Sequence, residues 1–195
     1  MDEDDGFWAV VTAEESDDEL VAQVAKGDGL AFARLVQRHR SRLMAVAARI
    51  LGSPAMAEDI VQETFTRAWI NAPRWRVQNE GSAAFAAWLS RIATNLSIDQ
   101  LRRANTVPLE AAPVIEDDAP GADAQMIEAE RTRRLHAAMQ DLPARQRAAV
   151  ALTYDDGHSN AEGALILQIS VGAFELLLVR ARRALRLALM DGTEK

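Results

Sequence analysis

The residues of this chain whose types and spacing could do chemistry are suited to binding rather than to bond making. Over residues 74–79, a tryptophan lies between two arginines, and two amide side chains follow. Arginines neutralise phosphates, aromatic rings stack on unpaired bases and amides hydrogen-bond base edges, so this composition is typical of a surface for single-stranded nucleic acid. The candidate residues of this segment are Arg74, Trp75, Arg76, Gln78 and Asn79.

No arrangement typical of catalysis accompanies this segment. The sequence has no glycine-rich phosphate loop, no Ser/His/Asp set at interpretable spacing and no cysteine. Its three histidines are scattered without ligand-like spacing. Asp155 and Asp156 are interpreted as a helix end. We therefore expect no catalytic residues, no metal, no cofactor and no small-molecule substrate, and the chain is predicted not to be an enzyme.

The net charge of −7 argues against nucleic acid, but acids and bases are segregated along the chain. Residues 1–30 carry ten acids against one lysine, and 110–130 carry seven acids and no base. By contrast, 31–109 hold eleven arginines against five acids, and 180–186 hold four arginines and no acid. Basic segments separated by acidic ones permit phosphate binding at defined surfaces.

Helical periodicity and capping residues predict an all-α fold with two small helical domains joined by a flexible acidic linker. No stretch approaches the length of a membrane span and no signal peptide precedes the first helix, so we expect a cytoplasmic protein. The predicted parts are an acidic tail over 1–15, a first domain over 16–103, a proline-containing linker over 104–125 and a second domain over 126–190.

An amphipathic helix is predicted over 57–69, with apolar residues on one side and polar residues on the other. Periodicity alone favours an ordinary surface helix. Its sequence, AEDIVQETFTRAW, nevertheless resembles over thirteen positions the polymerase-docking helix of bacterial sigma factors of the extracytoplasmic-function group. The resemblance implies that the polar side binds a coiled coil on the largest subunit of core RNA polymerase. The implied docking residues are Asp59, Gln62, Glu63 and Thr66.

A further helix is predicted to begin at Ser82, and its segment RIATNLSIDQLRR is similar to a motif of the same family. The resemblance implies that this helix and the loop before it open the promoter and capture the minus-ten strand. Trp88 is equally well interpreted as a base-stacking or a core residue, and Asp99 could fix an arginine instead of facing DNA. The candidate DNA-side residues are Trp88, Arg91, Asn95, Asp99, Arg102 and Arg103.

A short helix after Ser159, a three-residue turn and a long helix capped by Ser170 have the shape of a helix-turn-helix. The alternative is a helical hairpin used only for packing. In the first interpretation, Glu175 could accept a hydrogen bond from a cytosine amine, and nearby arginines could reach phosphates. The candidate residues are Ser170, Val171, Gly172, Ala173, Glu175, Leu176, Val179, Arg180 and Arg183.

This second domain resembles the sigma-factor domain that reads the minus-thirty-five promoter element, with three departures. Gln168 stands at a turn position where the family usually has glycine. Residues 173–175 and Leu177 replace side chains that are often basic in the family. Gly163 lies inside the first helix, where glycine costs about 1 kcal/mol against alanine. We expect these departures to alter the contacted bases and to weaken the hold on DNA.

The resemblance implies an alternative sigma factor that binds core RNA polymerase and promoter DNA and directs transcription initiation. It also implies control by an anti-sigma factor, which in this group is often membrane-anchored. Two other hypotheses remain open. One is a stand-alone helix-turn-helix regulator, which would need dimerisation and a sensing site. The other is a sigma-like decoy that binds an anti-sigma factor without using DNA.

Overall fold

In a computed structural model, the described residues are 15–74, 82–104 and 123–191, and their regular elements are all helices, as predicted. A 3-10 turn, Ala72–Arg74, follows the third α-helix. Among the described residues, the α-helices are α1 (Asp17–Val24), α2 (Gly29–Leu51), α3 (Pro54–Asn71), α4 (Ser82–Ala104), α5 (Asp123–Gln140), α6 (Ala144–Tyr154), α7 (Asn160–Leu167) and α8 (Val171–Asp191).

The helix ends follow the capping residues of the sequence. The hydroxyls of Ser16 and Ser159 accept the backbone N–H of the glutamate three residues on, and each glutamate carboxylate accepts the N–H of its serine at 2.7 and 2.8 Å. Each of these reciprocal pairs is a capping box, and the sequences SDDE at 16–19 and SNAE at 159–162 are typical of one. Gly52 ends α2 in the left-handed region at φ 72°, and the Ser53 hydroxyl caps α3. These short-range bonds fix where α1, α3 and α7 begin.

Helices α1, α3 and α4 pack around α2. The core that these four helices share includes Leu20, Leu35, Phe65 and Leu89. Beside this core lies the buried carboxylate of Asp17, at the start of α1. Its Oδ2 is 2.8 Å from Nε2 of His39, and its Oδ1 accepts from Nη1 of Arg38 at 2.6 Å. Burial raises the pKa of Asp17, but these hydrogen bonds and charges outweigh it, so the pKa is lowered. The pair ties α1 to α2.

The last four helices form a second cluster around Leu152, Ile166 and Phe174. Helices α7 and α8 are bent by 101° at the turn between them, which is the geometry of a helix-turn-helix. Among the described residues, no single helix has the length and apolar character of a membrane span; the bent pair α7 and α8 reaches them together, by length and composition only.

The two groups of helices pack directly on each other, a contact that the sequence did not indicate. Val46 and Ile50 of α2 are fully buried and belong to the second cluster. The turn after α6 supplies the polar part of the contact. Asp156 accepts a hydrogen bond from Ser90 Oγ of α4 at 2.6 Å and pairs with Arg42 of α2.

Two further polar contacts reinforce this joint. Arg49 of α2 donates from Nε and Nη2 to the two carboxylate oxygens of Asp155 at 2.9 and 2.7 Å. Arg147 of α6 donates to the Ile50 carbonyl at 2.8 Å, where α2 ends. We call the contacts of Asp155 and Asp156 with α2 and α4 the aspartate clamp. The two acids do follow the end of α6, as predicted, but their side chains have the additional role of joining the helix groups.

The arginines of α2 do not form the phosphate-binding surface that the charge pattern permits. Each lies close to an acid from elsewhere in the fold, so the basic excess of this helix is used in internal ion pairs. The pairs are Arg34 with Glu15, Arg38 with Asp17, Arg40 with Glu58, Arg42 with Asp156 and Arg49 with Asp155.

Two of the departures from the family pattern have a structural explanation. A Cβ added to Gly163 would overlap the ring of Phe174, which is fully buried, so only glycine fits beneath this ring. Gln168 adopts the left-handed conformation at φ 54°, and its N–H bonds to the carbonyls of Ala164 and Leu165. The turn therefore keeps the backbone geometry that glycine usually provides.

Removal of the buried carboxylate of Asp156 should destabilise the protein strongly. Burial raises the pKa of Asp156, but the hydrogen bonds from His158 and Ser90 and the charge of Arg42 outweigh burial and lower it. We expect Asp156→Ala to lower the free energy of unfolding at pH 7 by about 3 kcal/mol, because three partners lose their acceptor. The contribution should persist above pH ~4 and disappear as the pH falls through the lowered pKa.

Urea denaturation of both proteins between pH 7 and pH ~3 measures this difference. The matched control is Asp99→Ala, which removes a half-buried carboxylate 3.4 Å from the exposed Arg102 and should cost below ~0.5 kcal/mol. Equal losses of unfolding free energy in the two variants would show that the Asp156 contacts stabilise the fold no more than the Asp99–Arg102 pair does.

Gly163 and Phe174 should be energetically coupled. We expect Gly163→Ala to destabilise by about 1–3 kcal/mol, even though alanine is the better helix former, because the added methyl overpacks the core. Phe174→Val alone should also destabilise, by about 2–4 kcal/mol, because it leaves a cavity. The double variant should lose clearly less than the sum of the two, as measured by urea denaturation followed by circular dichroism; additive losses would contradict the contact.

Candidate polymerase and DNA interfaces

The polar side of α3 is exposed along its whole length. Asp59, Gln62, Glu63 and Thr66 are all exposed, and we call this set the α3 flank. Their spacing of three and four residues places them on one side of the helix. The opposite side of α3 is buried in the first core through Val61 and Phe65, among others, so packing fixes the direction in which the flank points.

The flank keeps polar groups available for a partner. Glu63 accepts from Nε of Arg67 at 2.7 Å, and the Thr66 hydroxyl donates to the Gln62 carbonyl at 2.9 Å. Asp59 makes no ion pair with any residue in the described ranges. The net result is an acidic surface with one unengaged carboxylate, which suits a basic partner.

An apolar groove of about 450 Å³ adjoins the flank between α2 and α3. The rings of Phe32 and Trp69 meet edge-on there at 5.0 Å, and Trp69 is 38% exposed. The periodicity of the sequence predicts an apolar side of this helix, to which Trp69 belongs, but it does not indicate this groove. Gln62 and Thr66 also line the groove, so it is continuous with the flank. Apolar grooves bordered by charge are suited to the side chains of a docking helix.

The candidate DNA side of α4 is exposed only in part. Asn95, Arg102 and Arg103 are exposed, whereas Arg91 and Asp99 are half-buried. Asp99 Oδ1 lies 3.4 Å from Nη2 of Arg102, as in the alternative in which it fixes an arginine.

The aromatic and loop candidates near α4 divide into described and undescribed residues. Trp88 is half-buried, packs against the first core and lies 5.8 Å from the ring of Phe85, which favours its core interpretation. Arg74 is exposed in the 3-10 turn after α3. The remaining candidates, Trp75, Arg76, Gln78 and Asn79, lie outside the described residues.

The first two turns of α8 present a mixed apolar and acidic surface. The Ser170 hydroxyl accepts from the Ala173 N–H at 3.2 Å and so caps the helix as predicted. Glu175 accepts a hydrogen bond from Asn160 Nδ2 of α7 at 3.3 Å. Leu176 and Val179 are 47% and 58% exposed. Val171, Gly172 and Ala173 are exposed as well.

Farther along α8, the arginines differ in what they contact. Arg182 donates from Nε to the Tyr154 hydroxyl at 2.9 Å and lies 5.7 Å above that ring, so it is engaged within the fold. Arg180 and Arg183 are exposed, and neither pairs with an acid within the described part of the chain. These two guanidinium groups, in the middle of the second helix of the helix-turn-helix, are suited to phosphate contacts.

Comparison with protein families matches both halves of the chain. Sigma-70 region 2 matches residues 35–106, which begin within α2 and include α3 and α4. Sigma-70, region 4, matches residues 132–185, from within α5 into α8. Helices α3 and α7 and most of α8 thus lie within the two matched regions.

Relatives align over nearly the whole chain. The ECF RNA polymerase sigma factor SigW of Bacillus subtilis is 33% identical over 182 residues, 88% of this chain and 95% of SigW. The RNA polymerase sigma factor CnrH of Cupriavidus metallidurans is 34% identical over 193 residues, 93% of this chain and 98% of CnrH.

Two solved structures share the fold of this chain. CnrH in complex with the cytosolic domain of CnrY matches with a TM-score of 0.66 and 29% identity, covering 92% of this chain and 100% of that one. RpoE in complex with the anti-sigma factor NepR from Bartonella quintana shares the fold, with a TM-score of 0.61 at 23% identity, over 84% of this chain and 98% of that one.

Proposed function

This chain belongs to the extracytoplasmic-function (ECF) group of RNA polymerase sigma factors, and on that basis we propose that three of its surfaces act together in transcription initiation. Members of this family direct transcription and are not enzymes. The three surfaces are the α3 flank with its groove, the polar side of α4 with the loop before it, and the first turns of α8. The observation that carries the proposal is that the α3 flank is exposed and acidic. Of its two carboxylates, Glu63 pairs with Arg67, and Asp59 has no ion-pair partner among the described residues.

The α3 flank is the attachment point to core RNA polymerase. Asp59, Gln62, Glu63 and Thr66 contact a coiled coil on the largest subunit, and an apolar side chain of that coiled coil enters the adjoining groove. The acidic flank attracts a basic partner over distance, and the groove supplies buried apolar area. Because the flank lies on the outer side of α3, docking requires no rearrangement of the first core.

The DNA contacts are divided between the two matched regions. Arg74, Asn95, Arg102 and Arg103 hold the melted minus-ten strand together with Trp75, Arg76, Gln78 and Asn79 of the loop. Arg91, Asp99 and Trp88 support this surface from half-buried positions. The helix-turn-helix binds duplex DNA at the minus-thirty-five element, where Arg180 and Arg183 hold phosphates and the residues of the first two turns face the bases. The acidic segment over 104–125 links these two DNA-binding regions.

An anti-sigma factor is the proposed inhibitor. CnrH and RpoE, which share this fold, have been solved with the CnrY cytosolic domain and with NepR. A partner of that kind, anchored in the membrane in some systems, would cover the α3 flank and groove in the absence of polymerase. Because this chain would act on polymerase and DNA, its place of action is the cytoplasm.

Run-off transcription with core polymerase and a promoter library tests this function. We expect transcripts that require this protein, and we expect the double variant Asp59→Arg, Glu63→Arg to lose them. Two charge reversals should weaken polymerase binding by at least about a hundredfold, because like charges across an interface cost several kcal/mol. Polymerase binding is measured in parallel, with helix content followed by circular dichroism.

The matched control is Glu130→Arg with Asp141→Arg, which changes the net charge equally at acids on and after α5 and should leave binding intact. Unchanged polymerase binding by the α3 variant would refute the assigned docking role. Retention of promoter DNA without polymerase would instead favour a stand-alone regulator. Absence of both activities, with tight binding to an anti-sigma factor, would select a decoy.

A further inference from the structure

The first turns of α8 carry no side chain that donates a hydrogen bond. Between residues 171 and 179, Glu175 is the only residue with a polar side chain. The side chains that read guanine or adenine in the major groove are bidentate donors such as arginine, lysine, asparagine and glutamine. None of these types occurs in this stretch, so another chemistry must provide sequence discrimination here.

Two exposed apolar side chains occupy the position from which bases are read. The inner side of α8 is fixed by Phe174, Leu178 and Ala181, all buried. At 3.6 residues per turn, Leu176 and Val179 lie on the opposite side, and they are 47% and 58% exposed. Helix-turn-helix proteins place this side, near the helix start, in the major groove.

Resting on the proposed contact of α8 with the minus-thirty-five element, we propose that Leu176 and Val179 read the methyl groups of thymine. In the major groove, the thymine C5-methyl is the apolar feature that distinguishes one base pair from another. Apolar side chains that face base edges therefore favour A·T pairs whose methyl groups lie beneath them. Glu175 adds a carboxylate that can accept from the amine of cytosine.

The neighbouring residues indicate that the occupant of this surface is DNA rather than a protein. Arg180 and Arg183 follow Val179 within about one turn and have no acidic partner in the described ranges, and residues 180–186 include no acid. This excess of positive charge complements a phosphate backbone. Gly172 precedes Leu176 by one turn and has nothing within 4 Å of the place where a Cβ would lie. The bases can therefore approach the start of the helix closely.

Substitution of deoxyuridine for thymidine isolates the methyl group, because it leaves base pairing intact. The protein is assembled with core polymerase, and an upstream element is selected from a randomised promoter library by run-off transcription. The selected promoter is then synthesised with thymine or with uracil at the upstream element only. We expect the uracil promoter to bind about fourfold more weakly for each methyl contacted, the equivalent of ~0.8 kcal/mol per buried carbon group.

Two polar variants connect this loss to the named residues. Val179→Ser and Leu176→Asn remove the methyl groups of each side chain and make it polar, so each should weaken binding to the thymine promoter and reduce the thymine-to-uracil ratio toward one. Both positions are exposed, so the fold should persist. Leu187→Asn is the matched control, because Leu187 is 54% exposed on the same helix but lies about 16 Å beyond Leu176 along the axis. It should keep the full ratio.

The outcomes separate this inference from the function on which it rests. Equal binding of the thymine and uracil promoters by the unmodified protein would overturn the inference while leaving the sigma-factor function intact. Equal losses by the two variants on both promoters would also overturn it and would assign the surface to a protein partner. Absence of run-off from every library member would overturn the proposed function, and this inference with it.

Discussion

The buried carboxylate of Asp156 is the interaction on which the arrangement of this molecule depends. Its side chain is fully shielded from solvent, yet it receives a hydrogen bond from Ser90 of α4, an ion pair from Arg42 of α2 and a 2.7 Å contact from His158 of its own turn. A buried charge is tolerated only when its oxygens are satisfied in this way. Three elements are therefore held at one point, and any separation of regions 2 and 4 must first break these contacts.

This packing determines which sides of the helices remain for partners. Helix α2 is shared between the two clusters, through Leu43 in the first and Ile50 in the second, and its arginines are used in ion pairs. The surfaces left open are the acidic flank of α3 with the groove between α2 and α3, part of the polar side of α4 and the outer side of α8. On α8, the proposed contacts divide by chemistry: the arginines are assigned to phosphates, and Leu176 and Val179 are assigned to base edges.

The sequence predicted those structural features that depend on contacts between residues close together in the chain. Capping boxes at Ser16 and Ser159 and the αL glycine at Gly52 act within a few residues, so the helix ends could be predicted. The exposure of the α3 flank could also be predicted, because a periodic apolar stripe fixes the opposite side. Contacts between residues far apart in the sequence could not be predicted. Nothing in the local pattern shows that Arg49 meets Asp155, or that Gly163 exists to admit the ring of Phe174, because these partners meet only when the helices pack.

The central claim of this account is that the α3 flank attaches the protein to the largest subunit of core RNA polymerase. The most direct measurement is photocrosslinking with benzoylphenylalanine placed at Gln62, with the same residue at Gln100 of α4 as the matched exposed position. The account predicts a light-dependent adduct between Gln62 and the largest subunit that is absent or weak from Gln100. An adduct from Gln100 with none from Gln62 would contradict it.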